Sequence, residues 1–160
     1  MQENLIFDDD TIAKMITCPK EFKSRPREPM SVNKNISQRF SVFAADTGIE
    51  FSVFVTHSQM FPQDFSIGLM LQDYLLFRVN GFHGTTRRGF YSAEHHARPH
   101  THTLTMDDIE AGRKAKPSLI TDTSGDYVDL ATARLYFFRH CGIMGYEKYF
   151  HDSQQLSMFD

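Results

Sequence analysis

The sequence FSIGLMLQDYLLFRV occupies residues 65–79 and decides the fold class. Apolar positions dominate its two halves, 65–71 and 74–79, which are separated only by Gln72 and Asp73. Two short apolar runs joined by two polar residues are typical of a β-hairpin. The stretch therefore predicts a pair of antiparallel strands.

The segment before this hairpin shows the same two-residue period. Apolar and polar residues alternate over 40–44, and the alternation resumes over 51–55 after the polar break at Asp46, Thr47 and Gly48. This pattern predicts a second hairpin, so that four antiparallel strands follow one another as a meander. After the meander, residues 82–98 have no clear period and predict a long loop of the kind that is often functional.

The rest of the chain predicts one more strand and three helices. Alternation returns over 99–105 and predicts a fifth strand, followed by a short helix from Met106 to near Gly112. Helices are also predicted over 8–18, where acids precede apolar residues three and four apart, and over 129–141, where a wide apolar face ends at Gly142. Residues 19–36 contain three prolines and predict a surface arm.

These elements predict a single α+β domain over residues 1–145. Its expected architecture is an antiparallel sheet of about five strands, ordered as a meander and packed on the C-terminal helix, with a short N-terminal helix. Residues 146–160 are expected to form a polar tail outside this domain. The length of 160 residues and a hydrophobic fraction of 41% fit one globular unit.

Charge and cysteine content narrow the class of protein further. No apolar run is long enough to span a bilayer, and three aspartates stand at 8–10 where a signal peptide needs positive charge. We therefore expect a cytoplasmic protein with no membrane partner. Cys18 and Cys141 are expected to be reduced thiols, because two distant cysteines cannot build a disulfide framework.

The last residues of the chain carry a short motif. The sequence Gln155-Leu156-Ser157-Met158-Phe159 resembles the linear motif by which bacterial polymerases and repair factors dock on the DNA sliding clamp. The resemblance implies that the clamp is a partner. An extended tail can place Leu156, Met158 and Phe159 in apolar pockets while the Gln155 amide bonds at the rim. The alternative is that these apolar residues fold back on the domain.

A second candidate site lies in the segment 78–102. This segment holds four arginines, one glutamate and five histidines, a formal charge of +3 in a chain of −3, so the remainder carries −6. A local basic region suits a phosphate-bearing ligand such as nucleic acid. Histidine acid–base chemistry beside a phosphate-binding arginine would support phosphodiester cleavage. The candidate catalytic residues are His83, His100, His102, Arg87 and Arg88.

Metal binding is a further possibility in this segment, although no cofactor is otherwise expected. On a strand, alternate residues project from the same face, so His100 and His102 form a usable pair of metal ligands. The candidate ligands for a divalent metal are His95, His96, His100 and His102. Histidines satisfied by ordinary hydrogen bonds are the alternative.

The body of the chain, from 61–69 through Arg78 and His83 to 99–102, resembles small bacterial proteins often found in mobile or prophage-like DNA. This resemblance implies a bacterial or phage origin and a single α+β domain. Three function classes stay open: a clamp-docking accessory protein, a phosphodiesterase or nuclease, and a plain interaction module. The leading prediction is a non-enzymatic clamp-docking protein of replication, repair or mobile-element biology.

Overall fold

A computed structural model describes residues 8–82 and 98–150, and nine strands of these residues form one sheet. The sheet order is β8-β7-β6-β5-β4-β3-β1-β9, with β2 beside the first half of β3. Every pairing is antiparallel except that of β1 with β9. The strands are β1 Lys20–Phe22, β2 Met30–Val32, β3 Asn35–Ala44, β4 Glu50–Ser58, β5 Phe65–Leu71, β6 Tyr74–Asn80, β7 His100–Thr103, β8 Leu119–Asp122 and β9 Ile143–Met144.

The helices form where the sequence predicts them. They are α1 Asp9–Thr17, α2 Met106–Glu110 and α3 Leu130–His140, and a 3-10 turn follows at Tyr146–Lys148. Asp8 caps α1 by accepting a hydrogen bond from the Thr11 amide at 2.6 Å. Asp129 caps α3 in the same way through the Thr132 amide at 2.9 Å. The predictions of an N-terminal and a C-terminal helix are confirmed.

The core lies on one face of the sheet. Phe40, Val53, Leu69 and Phe77 are cross-strand neighbours in a single row, and all four are buried. Helices α1 and α3 add their apolar residues to the same core cluster. Phe137 of α3, for example, stacks on Phe77 with ring centroids 6.2 Å apart. We call this side of the sheet the core face, and the opposite side the outer face.

The expected five-strand meander on a C-terminal helix is wrong. β3 to β7 do form a meander in the predicted places, but β1, β2, β8 and β9 extend the sheet on both sides of it. β1 and β2 lie in the proline-rich segment that predicts a surface arm. These four strands have only two to four residues each, so they are too short to show a two-residue period in the sequence.

Lys20 in β1 is fully buried and joins the ends of two helices. Its Nζ donates hydrogen bonds to the carbonyl oxygens of Ile16 at 2.7 Å, Cys18 at 3.0 Å and Cys141 at 2.8 Å. Cys18 and Cys141 are the C-cap residues of α1 and α3, where the helix dipoles leave partial negative charge. The ammonium therefore satisfies carbonyl groups that the helices themselves cannot. Desolvation lowers the pKa of Lys20.

Gly142 makes this close approach possible. Its φ of +66° is one that residues with a side chain rarely adopt, and a Cβ at this position would lie 2.7 Å from the Cys18 carbonyl oxygen. The backbone of the α3 terminus thus passes directly beside the α1 terminus. The two cysteines at this junction are both free thiols, and burial raises the pKa of Cys141 to about 12.

The first residues of the predicted tail pack on the core. Phe150 is buried, and its ring centroid lies 5.6 Å from that of Phe40 and 5.1 Å from that of Phe138. Tyr146 stacks on Phe138 at 4.9 Å. The chain is therefore held on the sheet at least as far as Phe150. Among the helices of the described ranges, none is long and apolar enough to cross a membrane.

Candidate functional site

The structure places His100 and His102 together on β7, as the sequence predicts. Their rings meet edge to face on the side of the sheet opposite the core, with centroids 4.9 Å apart and an interplanar angle of 71°. Both histidines are buried. The other candidate residues lie outside the described part of the chain: His83, Arg87, Arg88, His95 and His96, and the motif residues Gln155, Leu156, Ser157, Met158 and Phe159.

A row of polar residues crosses four strands at His100. Ser66 pairs with Asn80, Asn80 with His100, and His100 with Asp122 on the edge strand. The Ser66 hydroxyl donates to Asn80 Oδ1 at 2.6 Å, and Asn80 Nδ2 lies 3.2 Å from His100 Nε2. Alternation along the strands puts these side chains opposite the apolar core face. The outer face thus carries a connected polar network.

The hydrogen bonds of His100 define the role of each ring nitrogen. Nδ1 lies 2.8 Å from the Arg98 carbonyl oxygen, which can only accept, so Nδ1 carries the hydrogen. Nε2 then accepts from the Asn80 amide, whose oxygen is already bonded to Ser66. This pattern fits the neutral imidazole. Both nitrogens of His100 therefore have protein partners, and Nε2 can act as a base or ligand only after the Asn80 amide moves.

His102 is oriented in a similar way. Its Nδ1 lies 3.0 Å from the carbonyl oxygen of Pro117, so this nitrogen also donates. A histidine that donates Nδ1–H to a backbone carbonyl has its Nε2 direction fixed, which is the usual arrangement of metal-binding histidines. The two rings are thus held in defined orientations by the backbone carbonyls of Arg98 and Pro117.

Tyr127 supports the same strands from the core side. Its hydroxyl donates to the Asn80 carbonyl at 2.7 Å and accepts from the Thr123 hydroxyl at 2.7 Å. The ring lies in the core cluster beside Phe65, with centroids 6.1 Å apart. Burial raises the pKa of Tyr127 further above neutral pH. Tyr127 therefore fixes the strand ends that carry the polar network.

The described arginines of the basic segment are engaged by the fold. Arg98 forms an ion pair with Asp122, with 3.3 Å between Nη1 and Oδ2. Hydrogen bonds from Ser124 lower the pKa of Asp122, and Arg98 adds to that shift. Arg78 lies next to His102 across the sheet and is partly buried, and desolvation lowers its pKa. Arg78 is half-buried, whereas the Arg98–Asp122 ion pair lies at the exposed surface.

Two of the four predicted metal ligands, His100 and His102, lie among the described residues. Within 8–82 and 98–150, no three His, Cys, Asp or Glu side chains are grouped so that they could hold a metal ion. His100 and His102 supply two nitrogens at most. A site built from the predicted ligands would need His95 or His96 as well, and binding of a divalent metal there stays a prediction.

The sequence does not predict two members of the network, Ser66 and Asn80, or the supporting tyrosine, Tyr127. The sequence predicts that Asn80 belongs to the turn after a strand, yet its side chain links Ser66 of β5 to His100 of β7. The signal for Ser66 was present, because it alternates with the apolar positions of β5. Nothing local indicates Tyr127, whose bond to Asn80 spans 47 residues.

Comparison with protein-family models, with curated proteins and with solved structures found no match.

Proposed function

We propose that this protein docks on a bacterial DNA sliding clamp through residues 155–159 and acts as a non-enzymatic accessory protein of replication, repair or mobile-element biology. The observation that carries the proposal is the pentapeptide QLSMF, which resembles the clamp-docking motif at every position but the fourth, where Met replaces the commoner Leu. Methionine is unbranched and flexible, so it fills an irregular apolar pocket well.

The anchoring of Phe150 limits how far the motif can reach from the domain. Phe150 is 5% exposed and packs among the rings of the core, so the chain is fixed to the domain at this residue. The motif begins five residues later. Five residues span at most about 17 Å when fully extended. A clamp that binds the motif would therefore be held close to the sheet domain.

The expected strength of docking follows from the size of the motif. Three apolar anchors, Leu156, Met158 and Phe159, would supply most of the binding energy, and the Gln155 amide would add a hydrogen bond at the rim. The association has to order a short segment and buries little surface. We expect a dissociation constant on the order of micromolar, about −8 kcal/mol.

The phosphodiesterase or nuclease alternative depends on residues outside the described ranges. His83, Arg87 and Arg88 are needed for it, and His100 is already bonded through both ring nitrogens. Proton transfer by His100 would first require the Asn80 amide to leave Nε2. This alternative stays a prediction, together with nucleic-acid binding by the basic segment.

Surface plasmon resonance on an immobilised bacterial clamp tests the proposal. The full chain is expected to bind, and the variant with Leu156, Met158 and Phe159 all replaced by Ala is expected to lose at least about tenfold in affinity, or 1.4 kcal/mol. Gln154→Ala, just before the motif, is the matched control and should bind as wild type. A synthetic peptide of residues 151–160 should compete for the same site.

Thermal unfolding of the same variants separates docking from a structural role. If the tail serves only as a ligand, the triple variant keeps the wild-type melting temperature. Equal clamp binding by triple variant and wild type would overturn the proposal. A melting temperature several degrees lower in the triple variant would show that these residues stabilise the fold, and the peptide's failure to compete would then overturn docking as well.

A further inference from the structure

Strand β8 forms one end of the sheet, and its outer edge pairs with no other strand among the described residues. On its inner edge, Thr101 pairs with Thr121 and Thr103 with Leu119. The Thr123 amide donates to the Pro99 carbonyl at 3.0 Å, so Pro99 and Thr123 form a hydrogen-bonded pair. Hydrogen-bonded and non-hydrogen-bonded pairs alternate along antiparallel strands. The backbone groups of Thr121 and Leu119 therefore point at β7. Those of Ile120 and Asp122 point outward.

The exposed edge is protected only by its length of four residues and by Asp122 at its end. Edge strands are normally blunted by shortness, a charge, a proline or a bulge, and β8 has neither a proline nor a bulge. The first two residues of β8, Leu119 and Ile120, are apolar, and they are 54% and 40% exposed. The charge of Asp122 stands at the end of the strand and is paired with Arg98. An apolar strand with outward donors and acceptors is suited to adding another strand.

The charges around β8 would complement those of a second β8 that runs in the opposite direction. Lys116 precedes the strand and Asp126 lies beyond its end, and both are exposed, whereas the charge of Asp122 is already paired with Arg98. If a second β8 ran antiparallel, the lysine end of each strand would lie beside the aspartate end of the other. A parallel partner would bring like charges together. Self-pairing across a two-fold axis also closes at two copies and leaves no further edge open there.

We propose that β8 pairs antiparallel with β8 of a second copy of this chain, about a two-fold axis near Ile120, so that one sheet runs through both copies. With the axis at Ile120, Ile120 lies opposite Ile120 of the other copy on one face, and Leu119 lies opposite Thr121 of the other copy on the other face. The paired segment has only four residues, well short of a standard interface, and the dimer is therefore weak, on the order of micromolar or weaker. The proposal is independent of clamp docking.

Sedimentation velocity of the full chain over a wide concentration range tests this pairing. The wild type is expected to shift from monomer to dimer as concentration rises. Ile120→Pro removes an outward N–H and leaves the ladder to β7 intact, so it should raise the dimer dissociation constant at least about tenfold. Ile120→Lys places a charge in the middle of the edge and should act similarly.

Two further variants sharpen the test. Met60→Lys changes another exposed apolar residue, 71% exposed in the loop between β4 and β5, and should leave the dimer unchanged. Lys116→Glu places like charges together and should weaken the dimer most at low ionic strength. A chain that stays monomeric at every concentration would overturn the proposal. So would a dimer that survives both Ile120→Pro and Ile120→Lys, with folding of each variant verified by circular dichroism.

Discussion

Replacing Lys20 by methionine should destabilise the protein strongly. The Lys20 ammonium is the common donor to three backbone carbonyls, those of Ile16, Cys18 and Cys141. Three acceptors require three N–H groups, which only the charged amine has. Methionine has a similar length but donates no hydrogen bond. The ends of α1 and α3 would therefore lose the group that joins them.

The size of this effect follows from two opposing contributions. Hydrogen bonds to a charged group contribute about 1.5–3 kcal/mol each, so three of them give roughly 5–9 kcal/mol. Burying an ammonium costs several kcal/mol in lost hydration, which methionine does not incur. Because the carbonyls stay buried without their donor, we expect a net loss of about 3–5 kcal/mol in the free energy of unfolding. That is a large share of the roughly 5–15 kcal/mol typical of a domain.

Guanidinium unfolding followed by circular dichroism measures this loss. Lys23→Met is the matched control, because Lys23 is exposed and forms a surface ion pair with Glu50 at 2.7 Å. The control should change the free energy of unfolding by no more than about 1 kcal/mol. A Lys20→Met variant within about 1 kcal/mol of wild type would refute the reasoning, since breaking a buried charged contact costs several kcal/mol.

Two further predictions concern the same junction. Gly142→Ala should destabilise the protein by at least about 1 kcal/mol, because alanine is strained at positive φ and its Cβ would clash with the Cys18 carbonyl. The midpoint of urea unfolding measures this loss, and an unchanged midpoint would contradict the prediction. Stability should also fall as pH rises above about 9, because the unfolded chain then loses the Cys141 proton while the folded chain, with its pKa raised by burial to about 12, retains it. The lowered pKa of Lys20 in the folded chain partly offsets this loss of stability up to pH 10.5. Urea unfolding from pH 7.5 to pH 10.5 measures the decline, and Cys141→Ala should make it less steep.

The sequence predicts long periodic elements well and short ones poorly. Strands β3 to β6 have seven to ten residues each and show alternation or a bounded apolar run. β8 and β9 have four and two residues, too few to show a periodic pattern, and pair through their backbones with β7 and β1. Lys20 reads as an ordinary surface charge in a basic, proline-rich segment. Its burial depends on two helix ends more than 100 residues apart, which no local pattern reports.

At the candidate site, too, the sequence predicts one feature well and another poorly. Strand alternation predicts that His100 and His102 share a face, and the structure places their rings 4.9 Å apart. The partners that determine their chemistry come from other strands. Asn80 occupies Nε2 of His100, and only the register of β6 against β7 brings the two together. A histidine pattern in sequence therefore identifies where imidazoles gather, whereas cross-strand register decides which of their nitrogens are available.

The parallel pairing of β1 with β9 has a consequence for synthesis on the ribosome. Lys20 pairs with Ile143, so the two strands are separated by most of the chain. The meander can form from neighbouring segments as they emerge, since its contacts are local. The Lys20 ammonium of β1 can bond the Cys141 carbonyl only after the end of α3 has left the exit tunnel. Closure of the sheet at this edge is thus a late step, and a chain truncated before Cys141 would keep Lys20 without this carbonyl acceptor.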